Sequence, residues 1–254
     1  MIIKLRKIFR MANTILIVAR ACLLFYGPVL LNRIVYRASH FKEKAGKTKE
    51  CLSLGNFREI LTELSENDSF NYINDGTLTE NYFKRAEETL SDKHLYVVIS
   101  RTGGPAFDII SVFTSKSYNH ASLAFDRELN TAVSYNSGNY VYPPGMNPEN
   151  HSDFTKKDGD SFLVYSLPCS SEKKSRVLEQ IREINESGSA YNLIGLMMKK
   201  SYRPNIMFCS QFVYKMLDLA GLSYFSMKDG RVKPTDFIEL DYRRTLRFEY
   251  EVGL

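Results

Sequence analysis

Between His120 and Asn136 the chain carries the pattern that most restricts its fold. Ala121, Leu123 and Phe125 alternate with Ser122, Ala124 and Asp126 at strand period, so His120 opens a strand expected to be half-buried. A turn at Asp126-Arg-Glu-Leu-Asn130 follows. The next run, Thr131-Ala-Val-Ser-Tyr-Asn136, is expected to pair back on the first as a hairpin. Further strand-like runs at 94–100, 162–167 and 245–252, with helical patterns at 171–187 and 209–221, give an α+β class: an antiparallel sheet with packed helices.

The helix over 171–187 sets Val177, Ile181 and Ile184 on one stripe and stops before Gly188. Residues 51–93 read as a lead-in of two short helices, 57–66 and 78–90, with Asn56 and Thr77 as N-caps. Gly103-Gly104-Pro105 is a turn, and 106–114 a short helix with Pro105 in its first turn. Residues 137–159 hold Gly138, Pro143, Pro144, Gly145 and Pro148, too many breakers for regular structure. A loop of that length either shapes a cleft or is an exposed insertion. A second helix is expected over 189–198.

With 254 residues, 44% hydrophobic and 13% aromatic, the chain has the material for one substantial core plus appendages. Its net charge of +5 is a mild excess, concentrated near the N-terminus, which points to anionic lipid before nucleic acid. Gly-rich phosphate loops, zinc-finger spacings and RNA-stacking signatures are absent from the sequence, so no cofactor, metal or nucleic-acid partner is expected. Cys22, Cys51, Cys169 and Cys209 are scattered without Cys-x-x-Cys spacing, which argues against a disulfide framework and fits a reducing compartment.

One cysteine has a special position. Met207-Phe-Cys-Ser-Gln-Phe-Val-Tyr214 puts Cys209 in the first turn of an amphipathic helix, where amide N–H groups and the helix dipole favour a thiolate, the form that attacks carbonyls. The other three read as small hydrophobes. Such a nucleophile needs a base. Of the four histidines, His40 lies in a basic segment, His94 starts a strand without a polar partner motif, and His151 lies in the long loop. His120, at its strand start, is the candidate, with Ser134 or Asn136 on the following strand as the residue that orients the imidazole.

These features together resemble a known family. Histidine opening a strand, a hairpin partner, a late Cys-Ser-Gln-Phe-Val helix and Lys233-Pro-Thr-Asp-Phe237 are similar to the circularly permuted papain-like hydrolases, the YiiX-like branch of the NlpC superfamily. The likeness covers about residues 94–254 and has the histidine before the cysteine, the reverse of papain's order. It implies a permuted papain-like fold with Cys209 as nucleophile and His120 as base, acting on an amide or ester through a thioester. Relatives cleave cell-wall stem peptides, act on lipids or transfer acyl groups, so a peptide, amide or lipid-linked substrate is expected. The alternative is a catalytically silent binding or scaffold module on the same fold.

Residues 1–50 form a basic and apolar N-terminal segment. The apolar stretch 11–31 suits a membrane span in length, but Arg20 lies at its centre. That cation costs roughly 2.5 to 3.5 kcal/mol, while the apolar residues return roughly 0.3 to 0.6 each, a near balance. At about 100° per residue Arg6, Arg10, Asn13 and Arg20 share one helical face, opposite Leu5, Ile8, Phe9, Ile15, Leu16 and Leu23. That is the pattern of an interfacial helix, so a membrane surface is an expected partner, with the cytoplasmic face favoured. The domain reading is therefore 1–50 membrane-associating helix and linker, 51–93 lead-in, and 94–254 catalytic domain.

Overall fold

The computed structural model describes residues 70–101, 118–138, 141–150, 160–193, 201 and 203–253. All lie in the unit Asn67–Leu254. In chain order the strands are β1 His94–Arg101, β2 His120–Ala124, β3 Val133–Asn136, β4 Gly145–Pro148, β5 Ser161–Pro168, β6 Ala190–Tyr191, β7 Ile206–Met207 and β8 Arg247–Gly253. Six of them form one sheet in the order β4-β3-β2-β1-β5-β8. Every pair in it is antiparallel. The short pair β6–β7 is parallel and separate. The described helices are α1 Glu80–Glu88, α2 Ser171–Ser187, α3 Cys209–Leu219 and the single turn α4 Asp236–Glu239. The class is α+β.

β1 lies inside the sheet and shows how both faces are used. Leu95, Val97 and Ile99 enter the larger apolar cluster, which also takes the inward residues of α1, α2 and α3. Tyr96 and Val98 point the other way, into a smaller cluster with Ala124, Leu129, Phe162 and Val164. Strand alternation produces this division. β2 is accordingly buried along its whole length rather than half-buried. Its Ala121 and Leu123 join the larger cluster and Ala124 the smaller, so the alternating pattern separates two interiors and not inside from outside. β2 and β3 do pair back to back in sequence, through Leu123 opposite Val133. The turn between them is tied by Asp126, whose carboxylate accepts from the Asn130 and Thr131 amides at 2.8 Å each.

α2 has the bounds expected of it. The Ser170 side chain caps its first turn by accepting from the Lys173 amide, and Gly188 ends it at φ 83°, a conformation a side chain would strain. Lys174 lies on the same buried stripe as Val177, Leu178, Ile181 and Ile184. It is fully buried because its Nζ donates to the carbonyls of Thr89 and Asp92, at 2.8 and 3.0 Å. α1 begins two residues later than expected. Thr79, not Thr77, accepts from the Tyr82 amide as N-cap. The Thr77 hydroxyl is used elsewhere, donating to Met146 O at 3.0 Å and Asn147 Oδ1 at 2.9 Å.

Two further expectations are corrected. Residues 137–159 were to lack regular structure, yet 145–148 form β4, paired with β3 from Val133–Pro148 to Asn136–Gly145. β4 is a sheet edge, the place where glycine and proline are tolerated in a strand. Its Gly145 is required, since a Cβ there would stand 2.6 Å from Ser189 Oγ and 2.8 Å from Asn74 Cβ. The helix expected to start at 189 does not start there. Ser189 bridges to Asn74, and Ala190–Tyr191 pair with β7, because their backbone groups find strand partners first. The expected elements at 57–66, 103–105 and 106–114, most of 189–198, residues 1–50, and His40, His151, Cys22 and Cys51 lie outside the described residues.

Candidate active site

The start of α3 is held from the C-terminal side. Ser210 Oγ donates to Val232 O at 2.7 Å, and Gln211 Nε2 donates to Asp229 Oδ2 at 3.2 Å. The helix body packs on the sheet through Phe212, whose ring centroid lies 5.2 Å from that of Tyr135 on β3. The Lys233-Pro-Thr-Asp-Phe237 stretch follows Val232 directly, and its Phe237 is buried in the larger cluster. Cys209 is the first residue of α3 and is 3% exposed. Its N-cap, Phe208, is extended and has no side-chain acceptor for the first-turn amides. Those N–H groups have no intrahelical acceptor either and are aimed out of the helix end.

His120 opens β2, the strand that α3 packs against. Its Nε2 lies 2.6 Å from Glu149 Oε1, with both side chains buried. Glu149 continues β4, its amide donating to Ala132 O at 2.9 Å. Four groups converge on its carboxylate. Ser122 Oγ donates to Oε2; Ser134 Oγ, His120 Nε2 and Asn136 Nδ2 all address Oε1, the last at 3.3 Å. Behind them Asn147 Nδ2 donates to Asn136 Oδ1 at 3.0 Å, and Asn74 Nδ2 donates to Asn147 Oδ1 at 2.9 Å. The carboxylate is thus the end of a buried amide chain that starts at Asn74.

The charges in this cluster are coupled. Burial works against the His120 imidazolium, but the Glu149 carboxylate and the charge and hydrogen bonding of Cys209 outweigh it, and the ring is held well above the ordinary histidine range. Burial likewise opposes the Glu149 carboxylate, and His120 with the two serine hydroxyls overcomes it, so its pKa is lowered. Nε2 faces Glu149, so Nδ1 is on the other side of the ring. Cys169 has no such setting; burial pushes its thiol up.

The structure brings Cys209 and His120 together and gives Ser134 and Asn136 a different place from the one expected. Neither orients the imidazole. Both hold Glu149, and Glu149 holds the ring. The correction has a simple cause: a serine or amide accepts weakly from an imidazole, while a buried carboxylate accepts strongly and needs hydroxyl and amide donors of its own. Glu149 was missed because it sits among prolines and glycines that hid β4. One signal was present, the alternation Asn147, Glu149 after Gly145, which places both on one face of an extended strand. His94 is a separate case, its Nδ1 lying 3.1 Å from Asp92 Oδ1. Among the described residues no three His, Cys, Asp or Glu side chains stand together to hold a metal ion.

The arrangement is a thiol at a helix N-terminus, an imidazole beside it and a buried carboxylate behind the imidazole. Comparison with protein-family models, with curated proteins and with solved structures gives no match for this chain.

Proposed function

We propose that the protein is a cysteine hydrolase acting on an amide or ester bond through a thioester. Cys209 attacks the carbonyl carbon as the thiolate whose proton His120 already holds, and His120 then gives that proton to the leaving amine or alcohol. Glu149 orients the ring and balances the imidazolium. First-turn amides of α3 supply the donors for the oxyanion. Water then attacks the thioester with His120 as base, releasing the acid and restoring Cys209. The observation that carries this reading is the buried His120–Glu149 pair on the strand against which the helix opened by Cys209 packs.

The order of His120 before Cys209, on a strand and a helix start, supports assignment to the permuted papain-like hydrolases. Within that family a peptide, amide or lipid-linked substrate is the proposed class. The amphipathic N-terminal segment brings lipid-linked amides into that range. No described helix is long and apolar enough to cross a membrane.

The burial of Cys209 and His120, 3% and 4% exposed, favours one competing reading, a silent binding module. Labelling with a panel of acyl and amide electrophiles separates the two. The hydrolase predicts that Cys209 is modified first, that Cys209→Ala abolishes labelling and turnover, and that His120→Ala lowers both by about 10² to 10⁴. Preferential labelling of Cys169, or wild-type reactivity in His120→Ala at neutral pH, removes the hydrolase reading.

A further inference from the structure

The turn between α4 and β8 presents a surface that the site does not use. Asp241 builds it from within: its Oδ1 accepts from the Thr245 amide and its Oδ2 from the Leu246 amide, each at 2.8 Å. The Arg244 amide donates to Asp241 O at 3.2 Å, and Arg244 sits at φ 53°, one of two non-glycine residues in the left-handed region among those described. Leu246 anchors the turn in the larger apolar cluster. The result is a fixed projection whose tip is Tyr242, 84% exposed, the most exposed large hydrophobic side chain among the described residues.

Arg243, Arg244 and Arg247 surround that ring in sequence and are exposed. Among the described residues none of the three forms an ion pair, whereas Arg127, Arg176 and Arg182 each have a glutamate partner. The acid nearest in sequence to Arg243 and Arg244, Asp241, has both oxygens committed to backbone amides, and the one nearest to Arg247, Glu249, is bonded to Arg127 and Ser166. Uncompensated guanidinium groups beside an exposed phenol match anionic headgroups: arginine pairs bidentately with phosphate, and tyrosine settles at the boundary of headgroup and acyl chain.

We propose that the Tyr242–Arg247 turn docks on an anionic lipid bilayer, with the Tyr242 ring entering the headgroup layer and Arg243, Arg244 and Arg247 binding its phosphates and carboxylates. A lipid surface suits the shape better than a folded protein does. One ring on a projecting turn enters a fluid interface, while a protein partner needs a broad, closely fitted apolar patch around it.

The test uses the full chain and the fact that it contains no tryptophan. Tyr242→Trp installs a single indole at the tip. Mixed with vesicles of equal parts phosphatidylcholine and phosphatidylserine, its emission should shift to the blue and be quenched by brominated acyl chains, with no change on phosphatidylcholine alone. Adding Arg243→Glu, Arg244→Glu and Arg247→Glu should weaken that response by about tenfold or more, with an unchanged thermal midpoint. An indole that stays water-like while the protein sediments with vesicles overturns the proposal, since another segment then makes the contact. An equal response on neutral vesicles overturns it also, as does a response to poly-glutamate and not to vesicles, which assigns the turn to an acidic protein.

Discussion

Glu149 Oε1 lies 2.6 Å from His120 Nε2 across 29 residues of sequence, joined by the pairing of β4 on β3 and β3 on β2. The sheet order therefore creates this carboxylate–imidazole pair.

Glu149→Gln keeps the shape of the side chain but removes the charge that holds the imidazolium. The rate of Cys209 alkylation by iodoacetamide at neutral pH, read by peptide mapping, should fall by about 10²-fold or more. A rate equal to wild type would show that the carboxylate is a structural acceptor alone.

Ser122 and Ser134 donate to opposite oxygens of that carboxylate. Ser122→Ala or Ser134→Ala should each cost about 1 to 3 kcal/mol of stability, as expected for a hydrogen bond to a buried charge. Since both act on one group, the double variant should lose less than the sum of the two. Chemical denaturation measures all three.

The pair also sets a pH window. His120 is raised, so the stability it contributes is complete below the unfolded histidine value of about 6.5 and is lost as pH rises through the folded value. Glu149 is lowered, so its contribution is complete above the unfolded glutamate value of about 4.3 and is lost as pH falls through the folded one. The stability advantage of wild type over Glu149→Gln should be greatest between these two values and shrink on both sides. Denaturation midpoints across pH give the profile, and a flat difference would be incompatible with the ion pair.

Gly145→Ala places a methyl group against Ser189 Oγ and Asn74. Overpacking of that kind costs about 1 to 3 kcal/mol. Because β4 carries Glu149, the variant should also lose Cys209 reactivity, although it touches neither residue.

Lys174→Ala removes the ammonium donor from the carbonyls of Thr89 and Asp92, and Thr89 O keeps only the Asp92 amide. At about 1 to 3 kcal/mol for the lost donor, the melting temperature should drop while alkylation of Cys209 in the surviving folded fraction stays at the wild-type rate. A small change in melting would mean that solvent reaches these carbonyls.

Local chemistry alone determined α2, with its Ser170 cap, apolar stripe and Gly188 stop, the approximate positions of β1, β2, β3, β5 and β8, and the placing of Cys209 at a helix start. Each follows from period and capping within a short window of chain. Tertiary structure decided the rest. Whether β2 faced water depended on what covered its second face, which no window of β2 records. Thr77 and Thr79 are equally good caps, and Asn147 took Thr77. β4 exists because an edge strand needs only one partner, and β3 supplied it despite Gly145 and Pro148. Glu149 became the partner of His120 for the same reason. A buried carboxylate is stable only where donors from Ser122, Ser134, Asn136 and the imidazole meet, and those four come together only once the sheet has formed.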